Sequence, residues 1–303
     1  MLDLAIIGGG PAGLTAGLYA MRGGANVRLY EELFTGGQIV KTHQIDNYPG
    51  ISDGPDGYAL AARLEEHATK FGLPIEYGTV SDLVLTDGVK RFSFNGESVE
   101  AKTVILATGA QPRSLDVEGE ARLTGHGISY CATCDGAFYK NRTATVIGGG
   151  DTAISDALYL AKLCKQVYVV HRRDKLRASA ILADAARKAE NITFIWNSVP
   201  EAFLGEQKLS GIRLYNRVTG EVSELVTDGA FVAVGIVPRT ELFSGQVRLA
   251  ENGSVETDAH METSVKGVFA AGDVRNTPLR QVVTACADGA IAATYAMEVL
   301  HAE

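Results

Sequence analysis

The chain has 303 residues, 46% apolar and 21% charged, a globular composition with enough length for two domains rather than one. A net charge of −8 and a pI near 5.4 set it against nucleic acid, whose phosphates would repel such a surface. It lacks the roughly 18 uninterrupted apolar residues of a membrane span and a basic leader with a cleavage site, and its four cysteines are too few for a disulfide scaffold, which fits a reducing cytoplasm.

The first predicted element is a short buried strand, residues 4–7. It runs into Gly8-Gly9-Gly10-Pro11-Ala12-Gly13, a GxGxxG pattern, followed by a helix over 14–22 and a second strand over 27–30 that ends at Glu31. Glu31 stands 23 residues after Gly8, about where a dinucleotide fold places the carboxylate that holds a ribose hydroxyl. GxGxxG alone is a weak signal; strand, glycines, helix, strand and acid in this order make it strong. The glycines let the backbone approach a pyrophosphate at the helix N-terminus.

The stretch from Gly36-Gly37-Gln38 to Asp46-Asn47-Tyr48-Pro49-Gly50 is polar and loop-like, and an amphipathic helix is expected over about 57–71. Asp87-Gly88 and Asn95-Gly96 mark hairpin turns of a small antiparallel meander. A buried strand over 103–106, ending in Ala107-Thr108-Gly109, closes this half.

Next comes Cys131-Ala132-Thr133-Cys134-Asp135-Gly136. Two cysteines at this spacing can bind zinc, serve as a structural pair, or cycle between disulfide and dithiol. Zinc would need a second Cys or His pair at similar spacing, but Cys164 and Cys286 stand alone and His126 has no partner nearby in the sequence. The redox reading is favoured, with no metal, because nucleotide fingerprints flank the pair. Asp135 is placed to give a proton to a departing thiolate.

After the pair the same programme repeats. A strand over 145–147 leads into Gly148-Gly149-Gly150-Asp151-Thr152-Ala153, a GxGxxA pattern, then a helix to about residue 163 and a strand over 167–170. That strand ends at His171, again 23 residues past the first glycine, and His171-Arg172-Arg173, with Arg177 four further on, stands where the acid stood before. Guanidiniums in place of a carboxylate suit a 2′-phosphate, hence NADPH. A second meander turns near Gly205 and at Thr219-Gly220 and ends in a strand over 230–234 and Gly235.

The tail begins no third copy. A strand over 268–271 ends in Gly272-Asp273, and Arg280-Gln281-Val282 opens a helix to about residue 300. The tail is expected to return to the first half. This makes an α/β protein of two Rossmann-like dinucleotide-binding domains, each βαβ plus a β-meander, the second inserted into the first: 1–112 with 242–303, and 113–241.

On the glycine fingerprints, Gly36-Gly37-Gln38, the Asn47 loop, Cys131 to Gly136, His171 to Arg177, and Gly272-Asp273 with Arg280-Gln281, the whole chain resembles the bacterial low-molecular-weight thioredoxin reductases. The resemblance implies FAD in the outer domain and NADPH in the inserted one. FAD would be held by Gly8, Gly10, Pro11, Ala12, Gly13, Glu31, Gly36, Gly37, Gln38, Asn47, Val80 and Ala107 to Gly109. Gly272, Asp273 on the ribityl chain, Arg280 and Gln281 by the flavin ring, and Val282 would complete that site. NADPH would be held by Gly148, Gly150, Asp151, Thr152, Ala153, His171, Arg172, Arg173, Arg177 and Gly235. It further implies that Cys134 faces the flavin, that Cys131 attacks the disulfide of thioredoxin, that Asp135 is the acid–base group, and that the chain forms a homodimer. Because nicotinamide and the CxxC pair would share one domain and both need the flavin, rotation about the two linkers is expected.

Two segments depart from the family pattern: Ser155-Asp156 where two glutamates are frequent, and Pro238-Arg239 where Pro-Asn is common. Three alternatives stand beside this reading. A peroxiredoxin reductase would usually add N-terminal thioredoxin-like domains, a ferredoxin-fed reductase would not need the arginines, and a flavin-bound redox sensor would not turn over NADPH.

Overall fold

Every residue of the run Leu2–Ile7 except Asp3 is buried, as a strand inside a parallel sheet requires. The computed structural model describes residues 1–42, 45–86 and 88–301. From this first strand, β1 (Leu2–Ile7), the order is α1 (Pro11–Arg22), β2 (Val27–Glu31), α2 (Gly57–Thr69), β3 (Ile75–Tyr77), β4 (Val80–Val84), β5 (Lys90–Phe94), β6 (Glu97–Leu106) and β7 (Ala110–Pro112). Then come α3 (Glu120–Leu123), β8 (Ile128–Ser129), α4 (Ala132–Asp135), β9 (Thr143–Gly148), α5 (Asp151–Ala161), β10 (Gln166–Val170), α6 (Ala180–Lys188) and β11 (Ile192–Ile195). The rest is β12 (Ser198–Leu204), β13 (Gly211–Asn216), β14 (Val222–Val226), β15 (Gly229–Ala233), β16 (Ile236–Pro238), β17 (Val268–Ala270) and α7 (Val282–His301).

Contacts divide the chain into two units, residues 1–111 with 237–303, and 112–236, so the second interrupts the first in sequence. The crossings β7 and β16 pair with each other as a two-stranded sheet.

Unit 1 is a seven-stranded sheet in the order β3-β2-β1-β6-β5-β4, with β17 paired to β6. Strands β3, β2, β1, β6 and β17 run parallel, whereas β4, β5 and β6 form an antiparallel meander. Successive side chains of β1 point to opposite faces. Leu4 and Ile6 join a core under α1 and α7, with Leu14, Leu29, Phe269, Ala292 and Ala296. Ala5 and Ile7 join the other, with Tyr30, Phe92 and Val104. The expected strand over 103–106 is the end of the ten-residue β6, one strand serving both meander and parallel sheet. Asn95 and Gly96, both at positive φ (49° and 87°), make the tight turn between β5 and β6. Asp87, in the other expected turn, and residues 43 and 44 of the expected loop lie outside the described residues. Within the rest of that loop, Gly37–Lys41 forms a 3-10 turn.

By length and composition the stretch Val282–Leu300 of α7 could cross a membrane. Its Ala292, Ala293 and Ala296 are fully buried in the core that also holds Leu14 and Ala16 of α1, so it serves unit 1 as a core helix.

Unit 2 has a five-stranded parallel sheet, β11-β10-β9-β15-β8, with α5 and α6 contributing to the core on one side. Its meander differs from the first: β12, β13 and β14 form a separate three-stranded sheet, and only β15 returns beside β9.

Candidate functional sites and the family

In unit 1 the turn after β1 is built on close approach. Gly8 sits at φ +110°, and a Cβ there would come within 2.3 Å of the Ala107 carbonyl oxygen at the end of β6. Gly9 N–H donates to Glu31 Oε2 at 2.7 Å, and Leu33 N–H donates to Glu31 Oε1 at 3.2 Å, so the expected acid closes onto the glycine turn. Gly36 N–H donates to the Gly9 carbonyl at 2.8 Å, which draws the Gly36-Gly37 loop over the same turn. Gly10, the N-cap of α1, has open space where its side chain would be, and no side chain caps the helix. The N-terminus of α1, with no side-chain cap and no acidic residue in its first turn, is thus suited to an anion.

The return segment brings further groups. Gly272 lies beside Ala12, 3.0 Å from its would-be Cβ to the Ala12 methyl. Asn47 Nδ2 donates to Gln281 Oε1 at 2.8 Å, clipping the Asn47 loop to the start of α7. Cys286, buried one turn into that helix, lies 3.8 Å from both Tyr48 Oη and the Pro11 carbonyl, and burial pushes its thiol pKa up. Burial raises the Asp273 carboxyl, Arg280 opposing and Asp288 adding, while burial lowers the Arg280 guanidinium against the pull of Asp273. Arg280 Nε is buried without a hydrogen-bond partner among the described residues. Thr108 Oγ1 donates to the Arg239 carbonyl at 2.6 Å beside Gly109, and Val80 opens β4 opposite Phe94.

In unit 2, Gly148 repeats the approach, with its would-be Cβ 2.4 Å from the Ala233 carbonyl oxygen and 2.7 Å from the Ala153 methyl. His171 is 5% exposed, lying against Gly149, with Nε2 donating to the Lys175 carbonyl at 3.1 Å and its ring edge-on to Trp196. Burial lowers its pKa, and Arg172, Arg173 and Arg177 lower it further against the Lys175 carbonyl, so the imidazole is neutral at pH 7. His171 thus belongs to the wall, not to the cationic surface. Arg172, Arg173 and Arg177 are all exposed, and Arg177 returns to the glycine turn, its backbone N–H donating to the Gly149 carbonyl at 2.7 Å. Its Nη2 is 3.8 Å from the would-be Cβ of Gly150, at the start of α5. Asp151 and Thr152 are exposed in the first turn, and Asp151 Oδ1 accepts from Ser179 N–H at 2.7 Å. Gly235 sits at φ +122° with open space beside it.

In the sequence the cysteine pair falls between the two glycine turns. Cys131 and Cys134 form a disulfide with Cα atoms 5.3 Å apart, both half-buried. Ser129 Oγ accepts from Cys131 N–H at 3.0 Å, and the Cys131 carbonyl accepts from Cys134 and Asp135 N–H, fixing the loop. Ala132, 1% exposed, anchors α4 in the core of unit 2 beside Ala153 and Ala157 of α5. Among the described residues no group of His, Cys, Asp and Glu is arranged to hold a metal ion.

Residues 2–289 match the pyridine nucleotide-disulphide oxidoreductase family. A thioredoxin reductase of Peptoclostridium acidaminophilum is 45% identical over 306 residues, covering 99% of this chain and 97% of that protein. The chain belongs to the thioredoxin reductases of this family. As a family member it is an oxidoreductase whose relatives share both units: the crystal structure of thioredoxin reductase from Streptococcus pyogenes is 43% identical, with a TM-score of 0.94 covering 100% of this chain and 99% of that one. A ferredoxin-flavin thioredoxin reductase from Clostridium acetobutylicum is 30% identical, with a TM-score of 0.54 over 100% of this chain and 99% of that one.

Sequence reasoning missed Arg275 and Asp288, which lie behind the unit 1 site of this family member, and Glu120, whose buried carboxylate accepts from Leu115 N–H, Asp116 N–H and Tyr130 Oη. An acid within the apolar first half of α7 was the available signal for Asp288.

Proposed function

We propose that this protein uses NADPH, through FAD, to reduce the disulfide of thioredoxin, with FAD in unit 1 and NADPH in unit 2. The observation that carries the reading is the Cys131–Cys134 disulfide on a chain with two glycine-turn sites, each with a helix start that no side chain caps. The unit 1 residues fit a flavin dinucleotide: the space at Gly10 suits a pyrophosphate, Glu31 a ribose, and buried Arg280 Nε has no hydrogen-bond partner among the described residues. The unit 2 residues fit NADPH: Arg177 lies at the glycine turn, Arg172 and Arg173 are exposed at the end of β10, and the neutral His171 stands where a 2′-hydroxyl would otherwise meet a carboxylate.

The chemistry that bound NADPH and FAD would supply is a hydride and the passage of its two electrons to the disulfide. The S–S bond of Cys131–Cys134 then opens, with Cys134 the sulfur facing the flavin and Cys131 the outward one. Asp135 holds the proton that a leaving thiolate needs. Cys131 thiolate attacks the thioredoxin disulfide, releasing one thioredoxin sulfur, and Cys134 thiolate then attacks Cys131 Sγ, displacing the second thioredoxin sulfur and re-forming the Cys131–Cys134 disulfide, so two electrons and two protons end on thioredoxin. Cytoplasmic location and a homodimer complete the proposal.

The test is NADPH-dependent reduction of candidate thioredoxins by the purified yellow protein. A second reading rests on the likeness to the Clostridium ferredoxin-flavin enzyme. Protein that reduces thioredoxin with reduced ferredoxin but not with NADPH would establish that reading instead.

A further inference from the structure

Asp288, in the second turn of α7, is 7% exposed and flanked by Ala287 and Gly289. Its Oδ2 accepts from Gly272 N–H and from Arg275 Nη1, each at 3.1 Å, and the ion pair is buried, with side chains 11% and 13% exposed. Arg275 is fixed from the other side too, its Nε donating to Thr257 Oγ1 at 2.9 Å. The backbone around it is tied to Val255 on both sides: Val255 N–H donates to the Val274 carbonyl at 2.9 Å and Asn276 N–H to the Val255 carbonyl at 3.0 Å.

The clamped turn carries groups that the proposed function needs. Gly272, at φ +77°, turns the chain into the 3-10 segment Gly272–Val274, which presents Asp273. Arg280 leans on the same turn, its Nη2 and Nη1 each donating at 3.4 Å, to the carbonyls of Arg275 and Thr277. Its Nε stays buried without a partner among the described residues, a donor awaiting a ligand. Removing one member of a buried ion pair leaves the other charge uncompensated, and a buried N–H without an acceptor pays its desolvation. Loss of the Asp288 carboxylate therefore disturbs the Gly272 turn and the Arg275 backbone at once.

We propose that Asp288 is a positioning residue for the unit 1 dinucleotide site: with Arg275 it fixes the turn from which Asp273 and Arg280 meet the bound flavin. The inference rests on the FAD reading above. The Asp288 carboxylate stands behind the turn, and its effect passes through Gly272 and Arg275.

The test uses purified flavoprotein, with FAD release on dilution read by flavin fluorescence, the visible flavin spectrum, and thermal unfolding of the flavin-free protein. Asp288→Asn keeps an acceptor for Gly272 N–H and removes the charge facing Arg275. It should weaken FAD binding about 10- to 100-fold and shift the visible flavin bands, with a much smaller effect on unfolding of the flavin-free protein. Combined with Asp273→Asn, it should weaken binding by less than the product of the two single effects, since one acts through the other. FAD affinity within about twofold of wild type, or effects that simply multiply, would overturn the proposal. Should Asp288→Asn not fold, Thr257→Val, which removes the other anchor of the same guanidinium, decides: weaker FAD binding supports the proposal and unchanged binding overturns it. A wild-type protein without affinity for FAD would overturn the cofactor reading itself, a result seen before any variant is made.

Discussion

The His171 imidazole lies directly against Gly149, so close that a Cβ on that glycine would come within 2.3 Å of His171 Cε1 and Nδ1. In unit 1 the carboxylate of Glu31 occupies the corresponding place beside Gly9. One scaffold thus carries an anion in one copy and a neutral ring in the other.

On the proposed reading, cofactor choice follows from that exchange. With the His171 ring rather than a carboxylate beside Gly149, Arg172 and Arg173 would favour a 2′-phosphate over a free 2′-hydroxyl. A hydrogen bond to a charged group contributes roughly 1.5–3 kcal/mol, so two give a preference on the order of 10²–10⁴, reduced by the exposure of both side chains and by salt. Arg172→Ala with Arg173→Ala should raise KM for NADPH steeply and leave that for NADH nearly unchanged. Arg177→Ala should add a further rise, because Arg177 lies at the glycine turn. Equal use of NADH and NADPH by the wild type would reduce the run to a surface patch.

Cys134→Ser should still take hydride from NADPH into the flavin, seen as bleaching of the visible band, while losing thioredoxin reduction. Retention of more than a few percent of wild-type reduction would remove the disulfide from the electron path.

Asp135→Asn should slow disulfide turnover by about 10²–10⁴ while both nucleotide sites stay intact. A capping role would be served equally well by Asn, but Asp135 makes no side-chain cap bond to the 3-10 turn that follows it. Stopped-flow comparison of flavin reduction with thioredoxin reduction separates the two steps. An unchanged second step would leave Asp135 with no part in proton transfer.

Asp156 carries a pH prediction. Burial on α5 raises its carboxyl to about 6, and no hydrogen bond or ion pair from a described residue offsets this. The folded state then binds more protons than the unfolded chain between about pH 4 and pH 6, so stability falls as pH rises through that window. Asp156→Asn removes the buried charge and should stabilise the protein by about 1–3 kcal/mol at pH 8, where the wild type is ionised, with little effect near pH 4. Thermal unfolding of both proteins at the two pH values checks this, and a gain independent of pH would contradict it.

Local signals carried most of the βαβ architecture. Glycines at fixed offsets after buried strands, and a Glu or His 23 residues on, mark both copies because close backbone approach leaves no other residue type. What local pattern could not show was pairing between distant segments. The ten-residue β6 read as two pieces because its first half alternates toward solvent and its second half is buried on both faces. The separate three-stranded sheet of unit 2 depends on which strand β14 fails to join. His171 read as part of a basic run since nothing in a three-residue window reveals that its ring turns inward against Trp196. Arg275 and Asp288 lie 13 residues apart, and only the fold pairs them.

The placement of β17 bears on how the polypeptide matures as it leaves the ribosome. Unit 2 is continuous over residues 112–236 and holds all the strands of its sheets. Unit 1 is not: Val268 pairs with Val104, and Ala292 and Ala296 complete the core around Leu14. Until those residues are synthesised, β6 keeps an open edge and α1 an uncovered apolar flank, both targets for off-pathway association. Chains truncated near residue 250 and released from the ribosome should therefore carry a protease-resistant inserted unit beside a first unit that chaperones hold and proteases cut.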